Sequence, residues 1–329
     1  MVSIGLVANP ASGKDIRRLV AHGSVFDNNE KINIIRRLLR ALDAYGVSQV
    51  LAMPDVYGLV LRALEDANVN LHVEFVNIPL TNSGEDSTAA TQLMVEAGVA
   101  CIVTIGGDGT NRVVAKASGS VPLVPISTGT NNVFPFLVEG TLAGMAAAVV
   151  ALDVPGVREK AVYQAPRLAL YRNRTLVDIA LVDVVVYDER FVASRAIWEA
   201  SKMRTLVLTR PYVGTLGASA IAAYLPEVTQ SANHGLWIEL GPGGREVKVP
   251  IAPGLIVPVS IRRIEWLKVG QGGTIHHAPC VLALDGEREI PLYPGETIHV
   301  RLERTGPFVV DIHRAVQAAI QAGFFLQKS

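Results

Sequence analysis

The sequence has few cysteines, no excess of charge of either sign and no long apolar run. Its 329 residues contain only Cys101 and Cys280, which excludes a disulfide framework and a cysteine-based zinc site and fits a reducing compartment. Lysine plus arginine number 30, as do aspartate plus glutamate, so the formal net charge is zero. A general nucleic-acid or acidic-membrane binder would carry a basic excess. The charge balance does not exclude a phosphorylated ligand that is held by backbone N–H groups and a metal ion.

The apolar segments are too short to cross a membrane. Leu142–Leu152 would extend about 16 Å as a helix, against a bilayer core of roughly 30 Å. The first ten residues, MVSIGLVANP, lack the basic and apolar regions of a secretory signal. We therefore expect a cytoplasmic protein with no membrane partner and no nucleic-acid partner.

The first 138 residues alternate short apolar runs with segments of helical period. In Lys31–Tyr45, apolar residues recur at steps of three and four, which predicts an amphipathic helix. Strands separated by helices indicate βαβ units, hence a Rossmann-like α/β domain whose parallel sheet is covered on both faces. The predicted strands are Ser3–Ala8, Gln49–Met53, His72–Asn77, Ala100–Ile105 and Leu123–Ile126.

From about Ala161 to Arg304 the pattern changes to strand-like runs punctuated by glycine and proline, which predicts antiparallel β structure. Gly241–Gly244 and Asp285-Gly286 have the chemistry of hairpin turns. The tail Asp311–Gly323 returns to a helical period. The predicted strands are Arg174–Tyr187, Leu206–Thr209, Leu236–Leu240, Glu246–Pro250, Ile256–Val259, Arg262–Val269, Cys280–Leu284 and Thr297–Leu302.

A glycine-rich turn follows the apolar run that ends at Ile105. The turn, Gly106-Gly107-Asp108-Gly109-Thr110, precedes a predicted helix over Asn111–Ala117. Backbone N–H groups at a helix N-terminus favour a phosphate, and glycine lets the backbone approach it closely. A carboxylate in such a loop would repel phosphate unless it binds a metal ion or accepts a proton. Asp108 is therefore a functional candidate, and the alternative is that it only caps the helix.

A second polar loop follows the next predicted strand. It reads Ser127-Thr128-Gly129-Thr130-Asn131-Asn132. The carboxyl ends of adjacent parallel strands meet at the edge where open α/β sheets bind ligands. Both loops could therefore line the same crevice.

These motifs resemble a known superfamily. GGDGT, the STGTNN loop and Asn9-Pro10-Ala11-Ser12-Gly13-Lys14 after the first strand are similar to the NAD kinase and diacylglycerol kinase-like superfamily, and most of all to its ATP-NAD kinase-like acetoin-catabolism protein X (AcoX) branch. The resemblance implies an α/β nucleotide-binding domain over 1–138 and 305–329, with a last helix that returns to it. It implies a β-sandwich domain over 139–304 with a connecting helix near 141–152, nucleotide in the cleft, and a homo-oligomer, either dimer or tetramer.

The resemblance also assigns roles to residues of the first domain. Asp108 would lie at the centre of phosphoryl transfer, where it could also help to hold Mg²⁺. Residues around the nucleotide would be Gly106, Gly107, Gly109 and Thr110 at the phosphates, Gly129, Thr130, Asn131 and Asn132 in the second loop, and Asn9, Ser12 and Gly13 after the first strand. For these last three the alternative is a plain strand-to-loop turn.

In the second domain, Asp285-Gly286-Glu287 resembles the DGE turn of the superfamily, and the resemblance assigns Asp285 and Glu287 to the ligand site. A plain hairpin also favours Asp-Gly. NAD kinases hold NAD with an Asn-Glu pair on a strand, where this chain has Val182 and Asp183. Asp183 keeps a carboxylate and Val182 removes the amide. The alternative for Asp183 is a solvated strand residue.

Three functions are considered from the sequence. The first is an ATP- and Mg²⁺-dependent kinase that phosphorylates a hydroxyl group of a small molecule, with NAD or a related nucleotide among the candidate ligands or acceptors. The second is a nucleotide-binding accessory or sensor protein of the acetoin-catabolism type with little or no transfer. A lipid kinase ranks third, because the chain shows no basic amphipathic membrane helix.

Overall fold

The computed structural model describes residues 2–13, 26–129, 131–190, 199–228 and 234–326. Its strands are β1 (Ser3–Ala8), β2 (Gln49–Ala52), β3 (His72–Phe75), β4 (Ile102–Gly106), β5 (Leu123–Ser127), β6 (Val162–Gln164), β7 (Arg167–Arg172), β8 (Thr175–Ala180), β9 (Asp183–Tyr187), β10 (Met203–Leu208), β11 (Gly235–Ala252), β12 (Leu255–Leu267), β13 (Gly272–Ile275), β14 (Cys280–Leu284), β15 (Glu287–Leu292), β16 (Ile298–Glu303) and β17 (Phe308–Val310). Its α-helices are α1 (Asn28–Ala44), α2 (Leu59–Leu64), α3 (Gly84–Glu96), α4 (Asp108–Ala115), α5 (Gly140–Ala151), α6 (Val157–Ala161) and α7 (Ile312–Gln321), with 3₁₀ helices at Ala200–Lys202 and Ala218–Tyr224.

The first layer is a seven-stranded sheet in the order β3-β2-β1-β4-β5-β17-β6. Strands β1 to β5 and β17 pair in parallel, and β6 pairs antiparallel with β17. Helices α1, α2, α5, α6 and α7 pack on one face, and α3 and α4 pack on the other. The predicted parallel sheet with two covered faces is confirmed.

The second region consists of two antiparallel sheets. One has the order β12-β11-β10-β9-β14-β15 and the other β13-β16-β7-β8. Apolar side chains from both sheets form one shared core, which includes Leu170, Val184, Leu282 and Val300. The outer face of the larger sheet packs against the 3₁₀ helix Ala218–Tyr224. The predicted sandwich is confirmed.

The chain then returns to the first sheet. Strand β17 lies between β5 and β6, and α7 packs against α5 and α6. The Asp311 side chain caps α7 by accepting the N–H of Arg314 at 3.0 Å. Ile312, Ala315 and Ala319 form its buried stripe, so the predicted return of the last helix to the first domain is confirmed.

The packing of α5 and β6 indicates where the boundary between the two units lies. Helix α5 shares the core of the first sheet, and β6 is one of its strands. We propose that the first unit takes in residues 140–164 as well as 305–326, with the boundary between β6 and β7 and not near residue 138.

Two predicted elements were wrong, and the start of a third differs from the prediction. The run Arg174–Tyr187 is two strands, β8 and β9, which belong to different sheets. Gly241–Gly244 is not a hairpin turn: Leu240 and Arg245 both pair with Ile261, so the four residues bulge out of the continuous strand β11. Both strand segments keep the same partner, β12, and this pairing cannot be read from local turn chemistry. The third is the helix after the glycine turn, which begins at Asp108, three residues before the predicted Asn111.

Candidate functional site

Three loops meet at the carboxyl edge of the parallel sheet because β1, β4 and β5 are neighbours. The Asn9 amide donates to the Thr110 hydroxyl at 2.8 Å, which joins the loop after β1 to α4. The Thr128 hydroxyl donates to the Ser12 hydroxyl at 3.0 Å, which joins the first loop to the loop after β5. Asn9 also accepts the N–H of Ala11, so this segment is a turn as well as part of the site.

A lysine from α1 holds the first loop in place. Lys31 is 0% exposed, and its ammonium donates to the carbonyl groups of Asn9 at 2.9 Å, Pro10 at 3.1 Å and Ser12 at 2.7 Å. It also lies 3.2 Å from the Asn28 side-chain oxygen. Several carbonyl dipoles aimed at one cation stabilise its charge away from water. The loop geometry therefore depends on a residue outside the loop.

Asp108 is the first residue of α4, and Gly107 is the N-cap. Its carboxylate accepts the N–H of Phe134 at 2.7 Å and the N–H of Val133 at 3.0 and 3.1 Å. The interpretation that Asp108 only caps its own helix is therefore wrong. The side chain instead connects the loop after β4 to the loop after β5 and lines the cavity between them.

Two glycines leave space that a side chain would close. A Cβ at Gly107 would lie 2.7 Å from the Asn132 side-chain oxygen, and one at Gly109 would lie 3.2 Å from the carboxyl carbon of Glu287. Asn132 is oriented by donating to the Ser127 hydroxyl at 2.8 Å. The Glu287 contact brings the second unit directly against the glycine turn.

Asp285 organises the second-unit side of the site. Its buried carboxylate accepts the N–H groups of Leu181 at 3.0 Å, Val182 at 2.8 Å and Asp183 at 3.3 Å. Burial raises the pKa of Asp285 to about 6, against the opposing effects of Arg112 and of these N–H groups. The residue also has φ of 52° at the confirmed turn between β14 and β15. It is thus both a hairpin residue and the group that holds the beginning of β9.

Asp183, the first residue of β9, is 4% exposed and lines the cavity, so the interpretation as a solvated strand carboxylate is wrong. Val182 is buried beside it.

Arg112 joins the two units electrostatically. Its guanidinium extends from α4 and donates to Asp178 at 3.2 Å and to Glu289 at 2.8 Å, and its Nε lies 3.7 Å from Asp285. Lys116, one turn later, pairs with Asp178 at 2.8 Å. Burial lowers the pKa of Arg112, but the carboxylates of Asp285, Asp178 and Glu289 outweigh it, so the net shift is upward.

The loops and the second unit enclose a cavity of about 920 Å³. Of the predicted site residues, Gly106 and Gly129 are not among those that line it, and Thr130 lies outside the residues that the structure describes. The predicted site residues that line the cavity are Asn9, Ser12, Gly13, Gly107, Asp108, Gly109, Thr110, Asn131, Asn132, Asp183, Asp285 and Glu287.

Sequence reasoning missed several residues of the site. Lys31 and Arg112 were not predicted, although Lys31 shares the apolar face of α1 with Ile35 and Leu38, and a charge on an apolar stripe is a usable signal. Other lining residues outside the predicted set include Asp55–Tyr57, Asn82–Thr88 and Leu216–Ser219.

Two features are absent from the described residues. No three histidine, cysteine, aspartate or glutamate side chains there are grouped so as to hold a metal ion. Within the same ranges, none of the helices has the length and apolar character needed to cross a membrane.

Comparison with known proteins agrees with this architecture. Residues 4–153 match the model of the ATP-NAD kinase N-terminal domain, and residues 166–305 match that of the acetoin catabolism protein X C-terminal domain. The fold is similar to that of yeast NADH kinase complexed with NADH, with a TM-score of 0.54 and 13% identity over 100% of this chain and 89% of that one. The fold and the matches define a two-domain protein of the NAD kinase-like superfamily, as the motifs predicted.

A curated relative narrows this to a family. Acetoin catabolism protein X of Cupriavidus necator is 34% identical over 323 residues, which cover 91% of this chain and 87% of the relative. The chain belongs to the acetoin catabolism protein X family.

Proposed function

We propose that this chain is an ATP-dependent kinase that phosphorylates a hydroxyl group of a small molecule. One observation supports this most strongly: three strand-end loops of the first unit and the Asp285–Glu287 turn of the second surround a single cavity. Its volume of about 920 Å³ falls at the upper end of the range for small-molecule sites. We also propose that the acetoin-catabolism context in the relative's name extends to this chain.

In this proposal the phosphates of ATP lie against Gly107–Thr110. Backbone N–H groups and the positive end of the α4 dipole favour an anion there. Asn9–Gly13 and Asn131-Asn132 flank the nucleotide. The acceptor lies on the second-unit side, near Asp183 and Glu287.

Asp108 would act on the acceptor hydroxyl. Its carboxylate is oriented by two backbone N–H groups and would accept the hydroxyl proton as the oxygen bonds to the γ-phosphorus. The bond from that phosphorus to the bridging oxygen breaks, and ADP leaves.

The residues present fit Mg²⁺ only as a partner of the nucleotide. Mg²⁺ in phosphoryl-transfer sites takes one or two carboxylates, substrate phosphates and water. Among the predicted residues Asp108 would supply such a carboxylate, and the described residues form no larger ligand group. A bound ion would neutralise part of the phosphate charge.

The test is ADP release with ATP and Mg²⁺ across NAD, NADH, acetoin, short-chain diols and lipids. Asp108→Asn should lower kcat by about 10²–10⁴-fold and leave ATP affinity within a few-fold. Asp86→Asn is a matched control, because Asp86 is similarly buried on the same cavity and accepts the N–H groups of Thr81 and Asn82. Wild-type kcat in the Asp108 variant would exclude its catalytic role.

The accessory or sensor function is the second candidate, and Val182 in place of the NAD kinase amide favours it. Micromolar ATP binding without ADP release for any acceptor would support that function. The homo-oligomeric state and the cytoplasmic location stay predictions.

A further inference from the structure

Arg112 connects α4 to both sheets of the second unit. Its guanidinium donates to both oxygens of Asp178 at 3.2 Å and to Glu289 at 2.8 Å, and its Nε lies 3.7 Å from the Asp285 carboxylate. Asp178 belongs to β8 of the smaller sheet, whereas Glu289 belongs to β15 of the larger sheet and Asp285 to the turn before β15. One side chain therefore holds α4 against separate segments of both sheets.

The position of α4 determines the position of the glycine turn. Arg112 lies one helical turn after Asp108, the first residue of this helix of eight residues. Asn111 ties the helix to the turn, because its backbone N–H and its side-chain amide donate to the Gly107 carbonyl at 3.1 and 2.9 Å. A side chain that holds α4 therefore also holds the glycine turn.

Glu289 reaches Arg112 from a bulge in β15. The pairing of β15 with β14 skips Glu289, which is the extra residue of the bulge. A bulge re-aims its side chain out of the regular strand pattern. On the same strand Glu287 lies against the glycine turn, where a Cβ at Gly109 would lie 3.2 Å from its carboxyl carbon. The bond between Arg112 and Glu289 therefore keeps Glu287 at this distance from the turn.

Asp285 carries the effect of Arg112 to the beginning of β9. Its buried carboxylate accepts the N–H groups of Leu181, Val182 and Asp183. Burial raises its pKa to about 6, and Arg112 is the strongest of the opposing influences. Without Arg112 the Asp285 carboxyl would keep its proton to a higher pH. A protonated carboxyl is a weaker acceptor for the N–H groups that position Asp183.

Lys116 provides a comparison on the same helix. It also joins the two units, by pairing with Asp178 at 2.8 Å, and Asp178 is its ion-pair partner among the described residues. Its side chain is 33% exposed, whereas that of Arg112 is 3% exposed. Lys116 can therefore link the units without holding the Asp285–Glu287 turn.

We propose that Arg112 is a positioning residue, which sets the distance between the glycine turn of α4 and the Asp285–Glu287 turn of the second unit. It acts through Glu289 and Asp285, whose carboxylates engage its guanidinium. This rests on the proposed kinase function, in which ATP lies against the glycine turn and the acceptor lies on the second-unit side. A misplacement of about 1 Å between reacting groups can cost on the order of 10²-fold in rate.

A pH profile reports on this junction because Asp285 is buried among other charged groups. They are Arg112 and Lys116 of α4, Asp178 of β8, Asp183 of β9, and Glu287 and Glu289 of β15. The pKa of Asp285, about 6, lies in a pH range that an activity assay covers. The ionised form holds β9, so activity should fall as the pH drops through this value.

The experiment compares Arg112→Met, Arg112→Lys and Lys116→Met as full-length chains. The assay is ADP release with ATP, Mg²⁺ and whichever of NAD, NADH, acetoin and short-chain diols is turned over fastest. Arg112→Met should lower kcat at least tenfold and leave the KM for ATP within a few-fold. The acid limb of its kcat profile should move to higher pH by about 1–3 pH units, because the cation beside Asp285 is lost.

The other two variants are the controls. Arg112→Lys keeps the charge but loses the planar fork that binds Asp178 and Glu289 together, so the acid limb should stay near pH 6 while kcat falls at least threefold. Lys116→Met should keep the wild-type acid limb. An acid limb that is unchanged in Arg112→Met, or that moves equally in Lys116→Met, overturns the positioning role.

Hydrogen exchange separates this inference from the kinase proposal, because it needs no acceptor. Protection of the amides of Leu181–Asp183, corrected for the intrinsic pH dependence of exchange, should fall near pH 6 in the wild type and at higher pH in Arg112→Met. If no acceptor is phosphorylated but this difference is seen, the kinase proposal fails and the positioning role stands. Identical protection in the two proteins overturns the role.

Arg112→Met leaves buried carboxylates without their cation and could fail to fold. Arg112→Lys then decides, since it should show lower exchange protection than the wild type over residues 285–289. Wild-type protection of that segment in Arg112→Lys would overturn the role.

Discussion

Replacing Lys31 by methionine removes the cation that holds the loop after β1. The side chain is 0% exposed, and its ammonium lies within 3.2 Å of four oxygen atoms. Methionine fills similar space without a donor. The carbonyl groups of Asn9, Pro10 and Ser12 would then lose their common partner.

The expected loss of stability follows from the hydrogen bonds that the Lys31 ammonium makes. A hydrogen bond to a charged group contributes about 1.5–3 kcal/mol, but water reaches the partly exposed loop and replaces some of the loss. Methionine also avoids the desolvation cost of a buried ammonium. We expect Lys31→Met to lower the free energy of unfolding by about 2–4 kcal/mol.

The functional effect should appear in ATP binding. With the loop carbonyl groups released, the loop loses the geometry that places it beside the nucleotide, and we expect at least a tenfold loss of ATP affinity, about 1.4 kcal/mol. Urea unfolding and calorimetry with ATP measure the two effects in the same protein.

Arg40→Met is the matched control. Arg40 lies on the same helix and donates to the Ala67 carbonyl at 2.9 Å and the Asp66 carbonyl at 2.8 Å, away from the cavity. It is exposed, so its loss should cost about 1 kcal/mol or less and leave ATP affinity unchanged. Wild-type stability and ATP affinity in Lys31→Met would refute the reasoning.

Three further predictions concern the glycine turn, the sandwich and the last helix. Gly107→Val should abolish ATP binding without unfolding the protein, because its Cβ would lie 2.7 Å from the Asn132 oxygen; wild-type affinity by calorimetry would remove the turn from the phosphate site. Burial raises the pKa of Glu303, but hydrogen bonds from Arg301 and other donors outweigh it and lower the pKa to about 2. The ionised Glu303 therefore stabilises the fold at neutral pH, and this stabilisation is lost as the pH falls below the ordinary pKa of a glutamate. Glu303→Gln should therefore lose less unfolding free energy than wild type between about pH 5 and pH 3, and an equal loss would contradict this. Truncation after Arg304 should reduce hydrogen-exchange protection mainly in the first sheet. A loss of protection confined to residues 161–304 would contradict the packing of α7 on that sheet.

The chain's local patterns determined much of the fold and the position of the candidate site. Buried parallel strands appear as continuous apolar runs, and β1, β4 and β5 were predicted to within a few residues. The polar loops that follow them had to meet at one sheet edge, because parallel strands share their direction. These are consequences of residue type and short spacing.

Long-range packing decided the rest. The Gly241–Gly244 bulge arises because both flanking segments pair with β12. The sequence of a glycine-rich tetrapeptide does not predict which strand its flanking segments will pair with. Asp285 reaches residues more than a hundred positions away, and Lys31 reaches a loop about twenty positions before it.

The charge balance of the cavity likewise depends on which cations find carboxylates. Arg112 and Lys116 are neutralised by Asp178 and Glu289 from the second unit, which no local pattern on α4 predicts. A sequence shows which charged residues are present, but only the folded structure decides which of them are paired and which face a ligand. The reason is that charge pairing depends on distances between residues that are far apart in the sequence.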